Sequence, residues 1–394
     1  MVLLLPDNRL HPSRVAVPHS SEGTWENPNH FFSGRKATPV TSSSEPALED
    51  RLIGAAIGAL ELQSIHVGRR LGLYESLRSP RTAAELADHA GIDPRYAREW
   101  LEQQAVAGFV SVDGEVGNDY LDRVRFWLDP RQLAVLVHEE DPAHVSPLAD
   151  MVAGGGLVID QVVEAYRTGQ GVPYAAYGKS FRDGQAGINR PAFVNDLSST
   201  WIEAVPEVAA RLREGGRIAD LGSGTGWSTI AMARAFPKAT VIGFDSDEAS
   251  VTDARANADT AGAAVQFIAA DASKMSEHGP FDLVLILEVL HDLARPVEVL
   301  GAARRSLSND GVVLVADEKV AESFQPKGDD LERMMYGWSV TYCLPASMAE
   351  ESSAALGTVL RPSQLKSLAG QAGFSRVDTS DIDAGFFRLY ALRP

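Results

Sequence analysis

With 394 residues the chain exceeds one typical domain and has the length for two packed cores. Its 53 acidic against 36 basic residues give a net charge of −17, which argues against a sequence-independent grip on nucleic acid or an anionic membrane. A single cysteine, Cys343, excludes an intrachain disulfide and a cysteine-based zinc cluster; no metal is expected. No apolar run reaches the ~18 residues of a membrane span, and Met1 to Leu5 is too short for a signal-peptide core, so a reducing cytoplasm is the expected compartment.

Residues 1–46 are rich in Pro, Ser, Asn and His and carry neither helical nor strand periodicity, the pattern of a disordered tail. A first domain is expected over 47–140. From Pro46 to Leu77 the apolar positions Leu52, Ile53, Ala56, Ile57, Leu60, Ile65, Val67 and Leu71 predict one or two amphipathic helices. Thr82 and Glu85 form a capping-box pattern opening a helix over Ala83 to Ala90, Gly91 ends it, and Asp93-Pro94 starts another through about Ala107. Val110 to Val116, with Gly114, reads as a small hairpin. Helix, turn, helix and hairpin in that order resemble a winged helix. Residues 51–130 hold nine arginines, no lysine and twelve acids, so dimerisation or a pocket wall suits this domain better than DNA reading.

Residues 141–205 read as connecting helices, broken at Gly154 to Gly156 and Pro173. Tyr177, Phe181 and Trp201 either cover a ligand or anchor the connector by packing. The richest stretch follows, RIADLGSGTGWST from Arg217 to Thr229: a short strand ending at Asp220, then Gly222, Gly224 and Gly226 at every second position around Ser223. Glycine lets the backbone turn sharply and lets a ligand lie against it. A dinucleotide loop is G-x-G-x-x-G, whereas this one is G-x-G-x-G behind a carboxylate that would repel a diphosphate and attract an ammonium. S-adenosylmethionine (SAM), with an ammonium, a sulfonium and no phosphate, fits that charge.

Three further strands end in acids. Ala239 to Asp245 places Asp245, with Ser246 after it, 19 positions beyond Gly226, where a carboxylate accepts hydrogen bonds from ribose hydroxyls. Val265 to Asp271 ends in Asp271, followed by Ala272; Phe281 to Asp292 ends in Glu288, His291 and Asp292. Gly311 to Asp317, Ser375 to Ile382 and Phe386 to Leu392 supply the remaining strands, with a helix over Ser363 to Ala372. The pattern predicts an α/β domain over 206–394, with a Rossmann-like, mostly parallel sheet of seven strands whose last hairpin introduces one antiparallel strand.

Taken together, these segments resemble motifs I to IV of class I SAM-dependent methyltransferases. The resemblance implies that Asp220, Gly222, Ser223, Gly224 and Gly226 hold the methionine part, Asp245 the ribose, and Asp271 with the Ala272 backbone the adenine. The run EVLHD resembles the fourth motif of small-molecule O-methyltransferases, in which a histidine followed by aspartate is the base; this makes His291 the candidate general base. Glu288, one helical turn earlier, either touches the cofactor, orients the histidine or is an ordinary solvated acid. The competing reading has His291 and Asp292 capping the next helix. An insertion over 319–360 carries Met334, Met335, Tyr336, Trp338, Tyr342 and Cys343 and reads as a lid over a flat or greasy acceptor, or as core. MMYGWSVTYCLP and GTVLRPSQLKSLAGQAGF resemble a bacterial family joining an all-helical winged-helix domain to a methyltransferase domain. The implied protein is a homodimeric enzyme methylating a small aromatic or polyketide-like molecule at oxygen. Its rivals are a SAM-responsive transcription regulator and a SAM-binding enzyme of non-methylating rearrangement.

Overall fold

The structure, a computed structural model, describes residues 47–113 and 123–394. The expected tail, 1–46, and Gly114 to Val116 of the hairpin lie outside the described residues. The amino-terminal domain opens with the helix Leu48–Arg70 and a short turn of helix, Leu73–Ser76. Ala83–Ala90 starts at a complete capping box between Thr82 and Glu85, and Pro94–Val106 starts where the Asp93 carboxylate accepts from the Arg95 and Tyr96 N–H groups. Strand β1 (Ser111–Asp113) pairs antiparallel with β2 (Arg125–Trp127), so the partner strand of the hairpin lies further along the chain than Val116. Apart from that ribbon the regular elements among the described residues of the domain are helical. Its core gathers Leu73, Leu77, Leu86, Trp100, Leu101 and Phe126, and it takes in Leu136 and Val137 beyond the ribbon.

The connector comprises the helices Leu148–Gly156, Ile159–Thr168 and Gly178–Ala192 and the π-helical segment Phe193–Trp201. Gly154 to Gly156 are the last residues of their helix. At Gly154 a Cβ would lie 2.7 Å from Phe181, so glycine there lets two helices approach closely. Tyr177, Phe181 and Trp201 are buried by packing: Phe181 and Tyr177 stack with Tyr342 at centroid distances of 4.2 and 5.0 Å, and Trp201 meets Phe387 at 5.4 Å.

The carboxyl-terminal domain is one seven-stranded sheet: β3 (Arg217–Leu221), β4 (Thr240–Asp245), β5 (Gln266–Ala269), β6 (Phe281–Leu287), β7 (Leu307–Glu318), β8 (Arg376–Thr379) and β9 (Phe387–Arg393), in the order β5-β4-β3-β6-β7-β9-β8. Strands β3 to β7 pair in parallel, and β9 runs antiparallel to both β7 and β8. Both faces are covered, so the strands are apolar on both sides: Leu283, Leu285 and Leu287 of β6 face one cluster with Trp201 and Leu212, while Val284 and Ile286 face another with Phe244 and Leu365. The chain runs outward from β3 through β4 to β5, then returns to β6 on the other side of β3. Beyond the carboxyl ends of β3 and β6 the connections diverge, which opens the crevice where sheets of this kind bind ligands.

Candidate active site

The glycine loop occupies that crevice. All three of its glycines have positive φ, but for different neighbours. A Cβ on Gly222 would lie 2.5 Å from Val289 and one on Gly226 would lie 2.6 Å from the Phe267 ring, whereas one on Gly224 would meet nothing within 4 Å. Gly222 and Gly226 therefore serve the packing of the loop, and Gly224 exposes bare backbone to a cavity of about 1030 Å³. Ser223 Oγ, buried beside it, has no hydrogen-bond partner.

Asp245 closes the loop from β4. Its Oδ2 accepts from Gly224 N–H at 2.8 Å and its Oδ1 from Asp247 N–H at 2.9 Å; burial raises its pKa, and those N–H groups pull the other way. Gly222, Ser223, Gly224 and Gly226, then Asp245 and Ser246, Asp271 and Ala272, and Glu288 all line the one cavity. Asp220 and His291 do not.

Asp220 is 1% exposed and sits behind the loop, where its Oδ2 accepts from Ser228 and Thr229 hydroxyls, each at 2.6 Å. Burial pushes its pKa up to about 6. Its visible work is to tie β3 to the helix Trp227–Ala235.

His291 lies in the turn Leu290–Asp292, 2% exposed. Its Nδ1 is 3.0 Å from Asp317 Oδ1 and 3.2 Å from Glu318 Oε2, and its Nε2 is 3.4 Å from Asp292 Oδ1. Burial opposes charge on the ring, but Glu318, Asp317 and Asp292 outweigh it and raise the imidazole pKa well above its usual value. Asp317 is held below its usual range by His291 against the effect of burial, whereas burial raises Asp292 and Glu318. His291 is thus ringed by carboxyls that favour its protonated form, and Asp292, not His291, lines the cavity. The helix-capping reading does not describe it: Pro296–Arg305 begins after Arg295 with no side-chain cap. Ligand atoms of His291, Asp317 and Glu318 lie within 4.8 Å of one another.

Glu288 sits at the end of β6 with φ of 57°, a conformation uncommon for a residue with a side chain and typical of functional strain. It accepts a hydrogen bond from Asn189 Nδ2, and burial pushes its pKa up to about 7. Asn189 Oδ1, buried on the cavity wall, has no partner.

The residues missed in the sequence divide by signal. Asp317 and Glu318 end a strand adjacent to β6, so the strand-end rule applied to β4, β5 and β6 would also have found them. Asn189 leaves no such trace, because only the tertiary fold brings it to Glu288 across 99 positions.

From the insertion, the helix Asp330–Trp338 and the π-helical turn Ser339–Cys343 pack on the connector, and Tyr342, Ala346 and Glu350 reach the cavity. Met335 and Cys343 are core.

A seven-stranded sheet of this order, with its cavity at the glycine loop, defines a class I methyltransferase fold. Residues 212–369 match the family model of a methyltransferase domain, and residues 58–127 match that of an Rv2258c-like winged HTH domain, so the chain joins those two domains. It is 30% identical over 164 residues to a ubiquinone biosynthesis O-methyltransferase of Ruegeria sp. (strain TM1040), covering 41% of this chain and 61% of that one. The chain spans roughly two-fifths to three-fifths of the length of the curated relatives it matches. An O-methyltransferase family protein from Burkholderia thailandensis superposes with a TM-score of 0.62 at 18% identity, over 89% of this chain and 98% of that one. Human N-acetylserotonin methyltransferase in complex with SAM superposes with a TM-score of 0.59 at 18% identity, over 89% and 99%.

Proposed function

We propose that this protein is a SAM-dependent methyltransferase acting at oxygen on a small, flat acceptor, aromatic or polyketide-like. The observation that carries the reading is the cavity in which Gly224 offers bare backbone beside the unpartnered Ser223 Oγ, the two-armed Asp245 carboxylate and Glu288. Those groups suit SAM: main chain for a close approach, Asp245 for ribose hydroxyls, Asp271 and Ala272 for the adenine, and Glu288 for a cation. When bound, SAM supplies an activated methyl group on a sulfonium. The chain holds donor and acceptor in line, keeps water from the head of the cavity, and takes a proton from the acceptor.

We assign proton uptake to Asp292 on the wall, with His291 behind it. This revises the expectation of His291 as the direct base, because the surrounding carboxyls favour its protonated form, which has no lone pair to offer, and Asp292 rather than His291 lines the cavity. Asp317 orients His291 through its hydrogen bond to Nδ1, and His291 Nε2 lies 3.4 Å from Asp292 Oδ1. In this reading the segment 319–360 walls the acceptor side through Tyr342, and 206–394 forms the catalytic domain.

The homodimer is also proposed. Leu52, Ile53, Ile57 and Leu60 on the first helix are each more than half exposed, and an apolar helix end of that kind needs a partner in water. The winged helix serves assembly rather than DNA. Arg95 and Arg98, the basic residues on Pro94–Val106, pair with Glu99 and Glu102 of the same helix. Duplex binding at physiological salt should stay in the nonspecific range, about 10⁻⁴ to 10⁻⁶ M; a tight, sequence-selective gel shift would contradict this. Among the described residues no helix is long and apolar enough to cross a membrane, and a cytoplasmic site of action is proposed from the single cysteine.

The test is incubation with SAM and an extract of the host, read by mass spectrometry for a product heavier by one methyl group. Asp292→Asn should slow its formation by roughly 10² to 10⁴ with SAM affinity nearly intact. Full activity in that variant would remove Asp292 as the base.

A further inference from the structure

Arg190 lies near the end of the connector helix Gly178–Ala192, with only 16% of its side chain exposed. Its guanidinium stacks over Trp227, 3.6 Å from the ring centroid. Trp227 is the first residue of the helix that follows Gly226, and it lines the main cavity. The other edge of the guanidinium faces the amino-terminal domain: Nη1 donates to Glu139 and Nη2 to Glu140 Oε1 at 2.6 Å. Those two glutamates follow Leu136 and Val137, which are core residues of the winged-helix domain, and the Glu140 carbonyl is held in turn by Asn195 Nδ2 at 2.8 Å. One side chain therefore joins the winged-helix core to the residue that begins the cofactor-loop helix.

We propose that Arg190 is a positioning residue through which the amino-terminal domain sets the affinity of the glycine loop for SAM. This rests on the reading of the cavity as a SAM site. A flat guanidinium suits the task because it stacks on the indole face while its edge makes two directed ion pairs, which an ammonium cannot do at once. The glutamates are themselves largely exposed, and glutamine in their place still offers the Arg190 guanidinium an amide oxygen to donate to, so the paired change removes charge without removing acceptors.

The test is calorimetric SAM binding by the full chain, with the ligand-free melting temperature as a control for folding. Arg190→Met, which keeps the apolar stem, should weaken binding by about threefold to thirtyfold. Arg190→Lys should fall between it and the parent. The paired change Glu139→Gln and Glu140→Gln, remote from the cavity, should weaken binding by about twofold to fivefold with the melting temperature unchanged. That effect should vanish when Arg190 is already Met, since the two glutamates then have no guanidinium to hold. Affinities within about twofold of the parent in both the Arg190→Met and the glutamine variants, or losses that simply add, would overturn the proposal. If Arg190→Met does not fold, Arg190→Lys and the glutamine pair still decide. Failure of the unaltered protein to bind SAM would remove the SAM reading and this one with it, whereas normal binding with inert variants removes this one alone.

Discussion

Asp245 accepts from the main-chain N–H groups of Gly224 and Asp247 and lines the cavity, and on the proposed reading it also accepts from the ribose hydroxyls of SAM. Asp245→Ala should therefore weaken SAM binding by roughly 1 to 3 kcal/mol, the range for losing charge-assisted hydrogen bonds, and calorimetry checks it. Glu288 sets a pH dependence. Its carboxyl, pushed up to about 7 by burial, is neutral below that pH and anionic above it, and the anion favours a cationic ligand. SAM affinity should accordingly rise from pH 6 to pH 8, and Glu288→Gln should flatten the profile. A falling profile in the parent would take Glu288 away from the ligand. Both carboxylates were legible as acids at strand ends. The state of His291 was not, because its charge depends on Asp317 and Glu318 arriving from β7.

At the scale of the element, the three glycines of the loop look alike in sequence and differ in what surrounds them. Gly224→Ala has open space for its Cβ, so the cost to folding is the left-handed backbone alone, on the order of 1 kcal/mol. The protein should fold and lose SAM affinity. Gly226→Ala drives its Cβ into the Phe267 ring at 2.6 Å and should lower the melting temperature before any ligand is added. Thermal melts beside SAM titrations separate the two outcomes; equal melting temperatures would sink the distinction. The capping box at Thr82 and the Asp93-Pro94 start were readable because a cap is a local contract between residues three apart. The β1 partner was misplaced for the opposite reason: a strand pair joins residues whose separation no local rule states.

At the scale of the whole molecule, the first helix is amphipathic in sequence, yet only its later residues, such as Ile65, reach the core of the domain. Leu52, Ile53, Ile57 and Leu60 stay exposed, and on the dimer proposal they are the face that a second copy covers. Leu52→Glu with Ile57→Glu should shift the protein from dimer to monomer by light scattering after gel filtration, while each subunit keeps its fold by circular dichroism. A monomeric parent would end the dimer proposal.

By itself the sequence determined the class of sheet, the glycine loop and the acids at successive strand ends, because each of these is written within a few residues by hydrophobic periodicity, by glycine and by a terminal charge. Only the tertiary structure decided which of those acids line the cavity. It turned Asp220 and His291 away from the cavity and Asp292 toward it, brought Asn189 to Glu288, and seated Arg190 on Trp227. Orientation and ionisation at such a site depend on neighbours gathered from distant segments, and in a buried setting those neighbours outweigh the intrinsic chemistry of the residue.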